Sequence, residues 1–198
     1  LKLAVVKPLH KKGDDCLCDN FRPISIVSTF SKLLERLFLK RLLKFLANNN
    51  VMSNNQFGFV KNKSTTDAMY HLVSKVVMAL DEGEKALGFF FDLSKAFDTV
   101  NHTMLKEKLY SVGVRGLAFR WLSSYLKDRT QFVEVKAVDG SGCLRTHRSP
   151  TGMIVSGVPQ GSVLGPVLFL LFVITCHMSF ILATSVFLLT IRLSPSPA

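Results

Sequence analysis

Gly88-Phe89-Phe90-Phe91-Asp92-Leu93-Ser94-Lys95-Ala96-Phe97-Asp98 carries the strongest chemical signal in this sequence. An apolar run ends in an acid; a short turn, an aromatic residue and a second acid follow. A carboxylate at the end of a buried strand is costly unless a positive group compensates it. A divalent cation does so most directly, and metal-held phosphates are the commonest reason to build such a site. From these residues alone two readings of Asp92 stand side by side: a metal ligand, or the N-cap of a helix beginning at Leu93.

The 198 residues, at 48% hydrophobic content, suffice for one sizeable core, or one domain with a smaller lobe. Lys and Arg number 25 against 14 Asp and Glu, a net charge of +11. That excess favours a polyanionic partner, nucleic acid first and an acidic membrane surface second. Cys16, Cys18, Cys143 and Cys176 form no CxxC pair and no zinc spacing with the histidines. They read as reduced thiols of an intracellular protein, nuclear or cytoplasmic. The amino end, LKLAVVKPLHKKGDD, turns charged too early for a secretory signal, and the absence of an initial Met reads as a fragment.

From Ser149 to Ile191 there is no Asp, Glu, Lys or Arg, and Val163 to Leu189 is long and apolar enough for a transmembrane helix. Gly165 and Pro166 interrupt the early part of that span. A membrane-tethered fragment is therefore one function class to be tested.

Residues 1 to 30 read as an extended, Pro-punctuated segment with a basic turn at Lys11-Lys12-Gly13-Asp14. From Ser31, Leu33, Leu34, Leu37, Phe38, Leu42, Phe45 and Leu46 recur at helical spacing, with Lys32, Arg36, Lys40 and Lys44 on the other side. Asn48-Asn49-Asn50 ends that helix. Ser64 with Asp67 predicts a capping box opening a second helix, whose apolar face is Met69, Leu72, Val73, Val76, Val77 and Leu80 and which Gly83 closes. Residues 102 to 111 and 117 to 127 predict two short helices. Gln131 to Val138 alternates as a strand, and Asp139-Gly140-Ser141-Gly142 supplies a hairpin turn toward Leu144 to Arg148. Strands and helices interleave, so the class is α/β or α+β.

A second constellation, Gly157-Val158-Pro159-Gln160-Gly161-Ser162-Val163-Leu164-Gly165-Pro166, pins a tight turn before an apolar helix that Ser162 can cap. Free N–H groups at that helix start favour anions, and Gln160 offers a donor and an acceptor to a base or sugar edge. Together with FFFDLSKAFDTVNH (residues 89 to 102), the segment GVPQGSVLGPVLFLLF (157 to 172) resembles the reverse transcriptase of non-LTR, LINE-type retrotransposons. Val6-Lys7-Pro8-Leu9-His10-Lys11-Lys12-Gly13-Asp14, Asn20-Phe21-Arg22-Pro23-Ile24-Ser25, and Gln56-Phe57-Gly58-Phe59 through Ser64-Thr65-Thr66-Asp67 look like that family's earlier motifs, in order. The similarity runs from about Val5 to Phe172.

The resemblance implies a partial right-hand polymerase fold: fingers over residues 1–80, an incomplete palm over 81–172, and no thumb. It implies RNA-templated DNA synthesis on a DNA primer from deoxynucleoside triphosphates, with Mg²⁺. Asp92 would hold the catalytic ions, with the Leu93 carbonyl as a further ligand. Phe97 would lie beneath the incoming sugar as a steric gate. Gln160 and Gly161 would contact the incoming nucleotide and its template partner, and Lys61 and Lys63 the triphosphate. Val60 stands where an arginine is common, which weakens that last expectation. Arg22, Lys11 and Lys12 would face nucleic acid.

Two-metal displacement needs carboxylates from at least two segments. The family takes the second set from an Ala-Asp-Asp motif on a hairpin beside the Asp92 strand, and this chain has no such motif; its last acid is Asp139. The expectation is that residues 173–198 form an out-of-frame apolar tail with no selected fold. The palm then lacks its central strands and the chain is catalytically incomplete, a non-catalytic nucleic-acid-binding remnant being the alternative. Reading Phe187 to Leu193 with the last base of each codon and the first two of the next permits Leu or Phe, Ala, Asp, Asp, Thr, Thr. That is the missing motif in another frame.

Overall fold

The computed structural model describes residues 1–52, 54–93, 95–140, 142–173, 180–183 and 186–193. In chain order the elements are β1 (Leu3–His10), β2 (Phe21–Ile26), α1 (Thr29–Asn48), α2 (Thr65–Asp81), β3 (Lys85–Asp92), α3 (His102–Ser111), α4 (Gly116–Leu126), β4 (Arg129–Val138), β5 (Leu144–Arg148), β6 (Gly152–Ile154), α5 (Gly165–Val173), β7 (Phe180–Ala183) and β8 (Val186–Leu193). This is the mixed α/β class that the interleaved pattern predicts. The chain forms two compact units, one of Leu1–Phe45 with Phe97–Phe172 and the other of Leu46–Ala96 with Val173–Ala198.

In the first unit the sheet runs β2-β1-β4-β5, with β6 also on β4. β1 and β2 are antiparallel, Val5 opposite Ile26 and His10 opposite Phe21. β1 and β4 are parallel, Val5 opposite Phe132, a pairing between segments too distant for any local sequence signal. Glu134 of β4 pairs with Lys7 of β1 and, at 2.7 Å, with Nε of Arg148 on β5. Lys7 first and Arg148 second hold its carboxyl below the usual range.

The helices of this unit obey local rules. Ser28, just before α1, accepts a hydrogen bond at Oγ from the Ser31 N–H (3.2 Å). Asn101 caps α3 through Thr103 N and Met104 N. α5 is apolar all round, and Val167 through Leu171 are buried, as expected of a helix sealed in a core. The Lys108 ammonium binds the Phe172 carbonyl near its C-terminus, where the helix dipole favours a cation. Leu42, Leu105, Leu109, Leu122 and Leu126 are buried as well.

In the second unit α2 opens with the predicted capping box: Ser64 Oγ accepts from Asp67 N while Asp67 accepts from Ser64 N. The Ser64 hydroxyl lowers the Asp67 carboxyl below its ordinary value.

Parts of the apolar stripes on α1 and α2 are uncovered. On α2, Met69 is 60% exposed and Leu80 61%; its buried residues are Ala68 and Ala79. On α1, Leu33, Leu34 and Leu37 are also exposed. Periodicity marks an apolar stripe, but it does not say whether anything covers it.

Of the segment expected to be a foldless tail, Phe180–Ala183 and Val186–Leu193 form strands, and residues 174–179, 184–185 and 194–198 lie outside the described residues. β8 pairs antiparallel with β3 over its whole length, Lys85 opposite Leu193 and Asp92 opposite Val186, and β7 pairs with β8. Val186, Phe187, Thr190 and Ile191 are strand formers, and backbone pairing asks nothing more specific of them. The next helix after Asp92 begins only at His102, so the N-cap reading of Asp92 fails. Among the described residues no helix is long and apolar enough to cross a membrane.

Candidate nucleotide and template groove

The first unit draws three distant segments together. The N–H of Gly157 donates to Val100 O (2.7 Å) and that of Val158 to Phe97 O (2.8 Å). His102 Nε2 donates to Gly157 O (2.7 Å), which fixes the proton on that nitrogen. On the other side, Ser25 N donates to Gln160 O at 2.7 Å. The 157–161 turn is thus tied both to the segment after Phe97 and to β2.

Glycine is needed twice in this turn. At Gly161, φ is +126° and a Cβ would lie 2.6 Å from Ser25 O. At Gly157, φ is +86° and a Cβ would lie 3.0 Å from the backbone of Phe97 and Asp98. Only a residue without a side chain allows such close approach in the left-handed region. The turn walls a groove of about 360 Å³, whose lining includes Pro23, Ser25, Asp98, Gln131, Gly157 and Gln160.

Behind the turn lies a buried polar cluster that the sequence reading missed. Glu35, only 1% exposed, accepts at Oε2 from Val163 N (2.7 Å) and Leu164 N (3.1 Å). Its Oε1 accepts from Ser31 Oγ (3.1 Å). Ser162 Oγ accepts from Gly165 N (3.0 Å) and donates to Pro159 O (2.9 Å), the expected cap of α5. Burial first, and the Glu35 charge second, push the Tyr125 hydroxyl up to about 12. The Arg129 guanidinium, 2% exposed, sits 4.8 Å from the Tyr125 ring centroid and donates to Tyr125 O at 3.4 Å. The available clue was that Glu35 is the one acid in an otherwise basic helix.

The sequence-predicted site residues fall into both units. Phe97, half-buried, packs its ring 5.2 Å from that of Phe169. Gln160 is half-buried and Gly161 is exposed, both in the tied turn. Lys11, Lys12 and Arg22 lie exposed at the connecting end of the β1–β2 pair, where Lys11 N donates to Asn20 O (2.8 Å).

Asp92, Leu93, Lys61 and Lys63 belong to the other unit. Asp92 ends β3, and exposed Leu93 follows it. Lys61 is exposed, whereas Lys63 donates to Asn54 O (2.5 Å) and lies 4.8 Å from the Phe57 ring centroid. Its ammonium therefore already braces the loop before α2. Gln56 Nε2 helps by donating to Gly58 O (2.7 Å).

The fold is of mixed α/β polymerase type, one unit holding a strand that ends in an acid and the other a glycine-pinned turn beside a polar groove. The backbone is similar to a chain in the structure of telomerase from Candida albicans with a fragment of telomeric RNA. The TM-score is 0.53 at 14% identity, covering 96% of this chain and 38% of that one.

Residues 9–188 match the family described as reverse transcriptase (RNA-dependent DNA polymerase), and the chain belongs to that family, as a domain of the LINE type. The match carries the resemblance beyond Phe172, where the sequence reading ended it. The probable RNA-directed DNA polymerase from transposon BS of Drosophila melanogaster is 35% identical over 175 residues, 86% of this chain and 18% of that protein. The RNA-directed DNA polymerase from mobile element jockey of the same fly is 34% identical over 172 residues, again 86% and 18%. The chain thus spans about a fifth of the length of these relatives.

Proposed function

We propose that this chain supplies the fingers (residues 1–80) and incomplete palm (81–172) of an RNA-directed DNA polymerase, binding RNA template and DNA primer without catalysing extension by itself. The observation that carries this reading is the tying of the 157–161 turn to both β2 and the Phe97–His102 segment, which forms one polar groove.

In that groove Gln160 presents an amide to a base edge, and Gly161 lets the backbone approach it. Phe97, whose ring packs 5.2 Å from that of Phe169, precedes the groove-lining Asp98 and is the candidate to meet the sugar of an incoming deoxynucleoside triphosphate. In the other unit, Lys61 is the freer of the two fingers lysines to meet a phosphate. Lys11, Lys12 and Arg22 add a basic strip for the nucleic-acid backbone.

The donor set does not fit a pair of Mg²⁺ ions. Asp92 and the Leu93 carbonyl stand at the end of β3, and neither β7 nor β8 has an acid to offer, since the last in the chain is Asp139. The recoded reading of 187–193 centres its acids near Thr190, which pairs with Gly88. That is about 14 Å along the strand from the partner of Asp92, so the recoded hairpin needs a different register. The nucleotide sequence tests the frame: the idea fails unless the alternative frame spells Ala-Asp-Asp.

The functional test is primer extension on an RNA template with Mg²⁺, run beside equilibrium binding of the same hybrid over a salt series. Binding that weakens with salt, without extension, is expected. Extension abolished by Asp92→Ala would overturn the inactive reading, and absence of salt-dependent binding would overturn the binding role.

A further inference from the structure

Along α1 and α4, away from the polar groove, two adjoining cavities of about 900 and 600 Å³ share Phe38, Arg41 and Trp121. Their apolar floor adds Leu34, Leu37, Leu42, Phe45 and Leu117. On α1 the lining positions 34, 37, 38, 41, 42 and 45 form one helical stripe. At 1.5 Å per residue it is about 16 Å long, or three turns. The stripe is uncovered: Leu37 is 61% exposed and Leu117 78%.

The rim is of one sign. Lys40, Arg41, Lys44, Arg115 and Arg120 line the two cavities, and no acid does. Arg115 is committed to the Tyr110 ring, 3.3 Å from its centroid. The other cations make no ion pair among the described residues. A concave apolar floor between two helices, flanked by cations, matches a helix with an apolar stripe and acidic shoulders.

Other occupants fit less well. A net charge of +11 opposes a second copy. The Trp121 ring already stacks on Phe38 (4.3 Å) and Tyr125 (5.6 Å), so it is a poor platform for a nucleic-acid base. A membrane surface suits a convex face rather than a groove.

We propose that the α1–α4 groove docks an acidic amphipathic helix, about three turns long, from a partner protein. The probe is a labelled helical peptide of about 15 residues built from Leu, Ala and Glu, with a Leu/Ala/Lys counterpart. Anisotropy against the full chain should show saturable binding of the Glu peptide only. Leu37→Asp should abolish it, and Arg41→Glu with Lys44→Glu should weaken it about tenfold or more while admitting the Lys peptide. Far-UV circular dichroism and Trp121 fluorescence check that the variants remain folded. Equal affinity for both peptides, or no effect of Leu37→Asp in a folded chain, would overturn the proposal. So would loss of RNA–DNA hybrid binding, of binding to phosphatidylserine vesicles, or of self-association in the same variants, since each names a different occupant. The proposal does not rest on the polymerase reading, because hybrid binding should be unchanged by these substitutions.

Discussion

Glu35→Ala is the substitution that most sharply tests how the groove is held. In the native chain one carboxylate oxygen takes the N–H groups of Val163 and Leu164, and the other takes the Ser31 hydroxyl. Truncation leaves two backbone donors at the start of α5 without an acceptor, in a place where water does not readily reach. Hydrogen bonds to charged groups contribute about 1.5–3 kcal/mol each, and the carboxylate's interaction with the α5 dipole adds about 0.3–1 kcal/mol. Allowing for relaxation around the gap, the net loss should be about 3–5 kcal/mol, a large share of a domain's stability.

Glu35→Gln separates geometry from charge. With its amide oxygen in the place of Oε2, glutamine keeps both backbone bonds, and its NH₂ can donate to Ser31 Oγ. The cost should then be about 1–2 kcal/mol, the loss of charge assistance alone. The chain has one tryptophan, Trp121, and it lies in the same compact unit as Glu35. Urea unfolding at neutral pH, followed by Trp121 fluorescence, therefore reads the relevant unit directly. If the alanine variant lies within about 1 kcal/mol of the native chain, or the two variants fall together, the carboxylate does not hold the turn as argued.

Other outcomes follow from the same geometry. Gly161→Ala should cost about 1–3 kcal/mol from backbone strain and, by displacing Gln160 from Ser25, should weaken binding of an RNA–DNA hybrid in the salt series. The Tyr125 pKa is raised from 10.0 to about 12, so its contribution to stability is complete below pH 10 and is lost as pH climbs from 10 toward 12; a tyrosinate absorbance step near pH 12 that Tyr125→Phe removes would check it. The Asp67 carboxyl is lowered, chiefly by the Ser64 hydroxyl. Its support for α2 is therefore present above the unfolded value and fades as pH falls through the folded one. Protection of the α2 amides, taken as exchange relative to the intrinsic rate at each pH, should fall in acid, and Ser64→Ala should flatten that response.

What the sequence disclosed and what it hid divide along a physical line. Caps are local, so Ser64 with Asp67 and Ser162 before α5 could be read from neighbours a few residues apart. The parallel pairing of β1 with β4 could not, because it joins segments whose register is set only when the whole sheet assembles. Glu35 was hidden for the same reason, its partners Val163 and Leu164 lying far along the chain. The exposed leucines of α1 and the exposed face of α2 show the reverse case, in which a local pattern is clear and its partner is not in the described structure. Asp92 was read rightly as the end of a strand. The strand beside it was not foreseen, because expectation followed the missing acids while pairing followed the backbone.

The turn from Gly157 to Gly161 is secured by peptide groups: Gly157 N to Val100 O, Val158 N to Phe97 O, and Ser25 N to Gln160 O. Such ties are indifferent to what most of the surrounding side chains become. A copy of this gene that has stopped working can accumulate many changes in charged and catalytic positions while the groove keeps its outline. The vulnerability is concentrated instead at Gly157 and Gly161, where any added carbon meets backbone. Tolerance to side-chain change and tolerance to backbone change therefore differ in this molecule, the first wide around the turn and the second narrow.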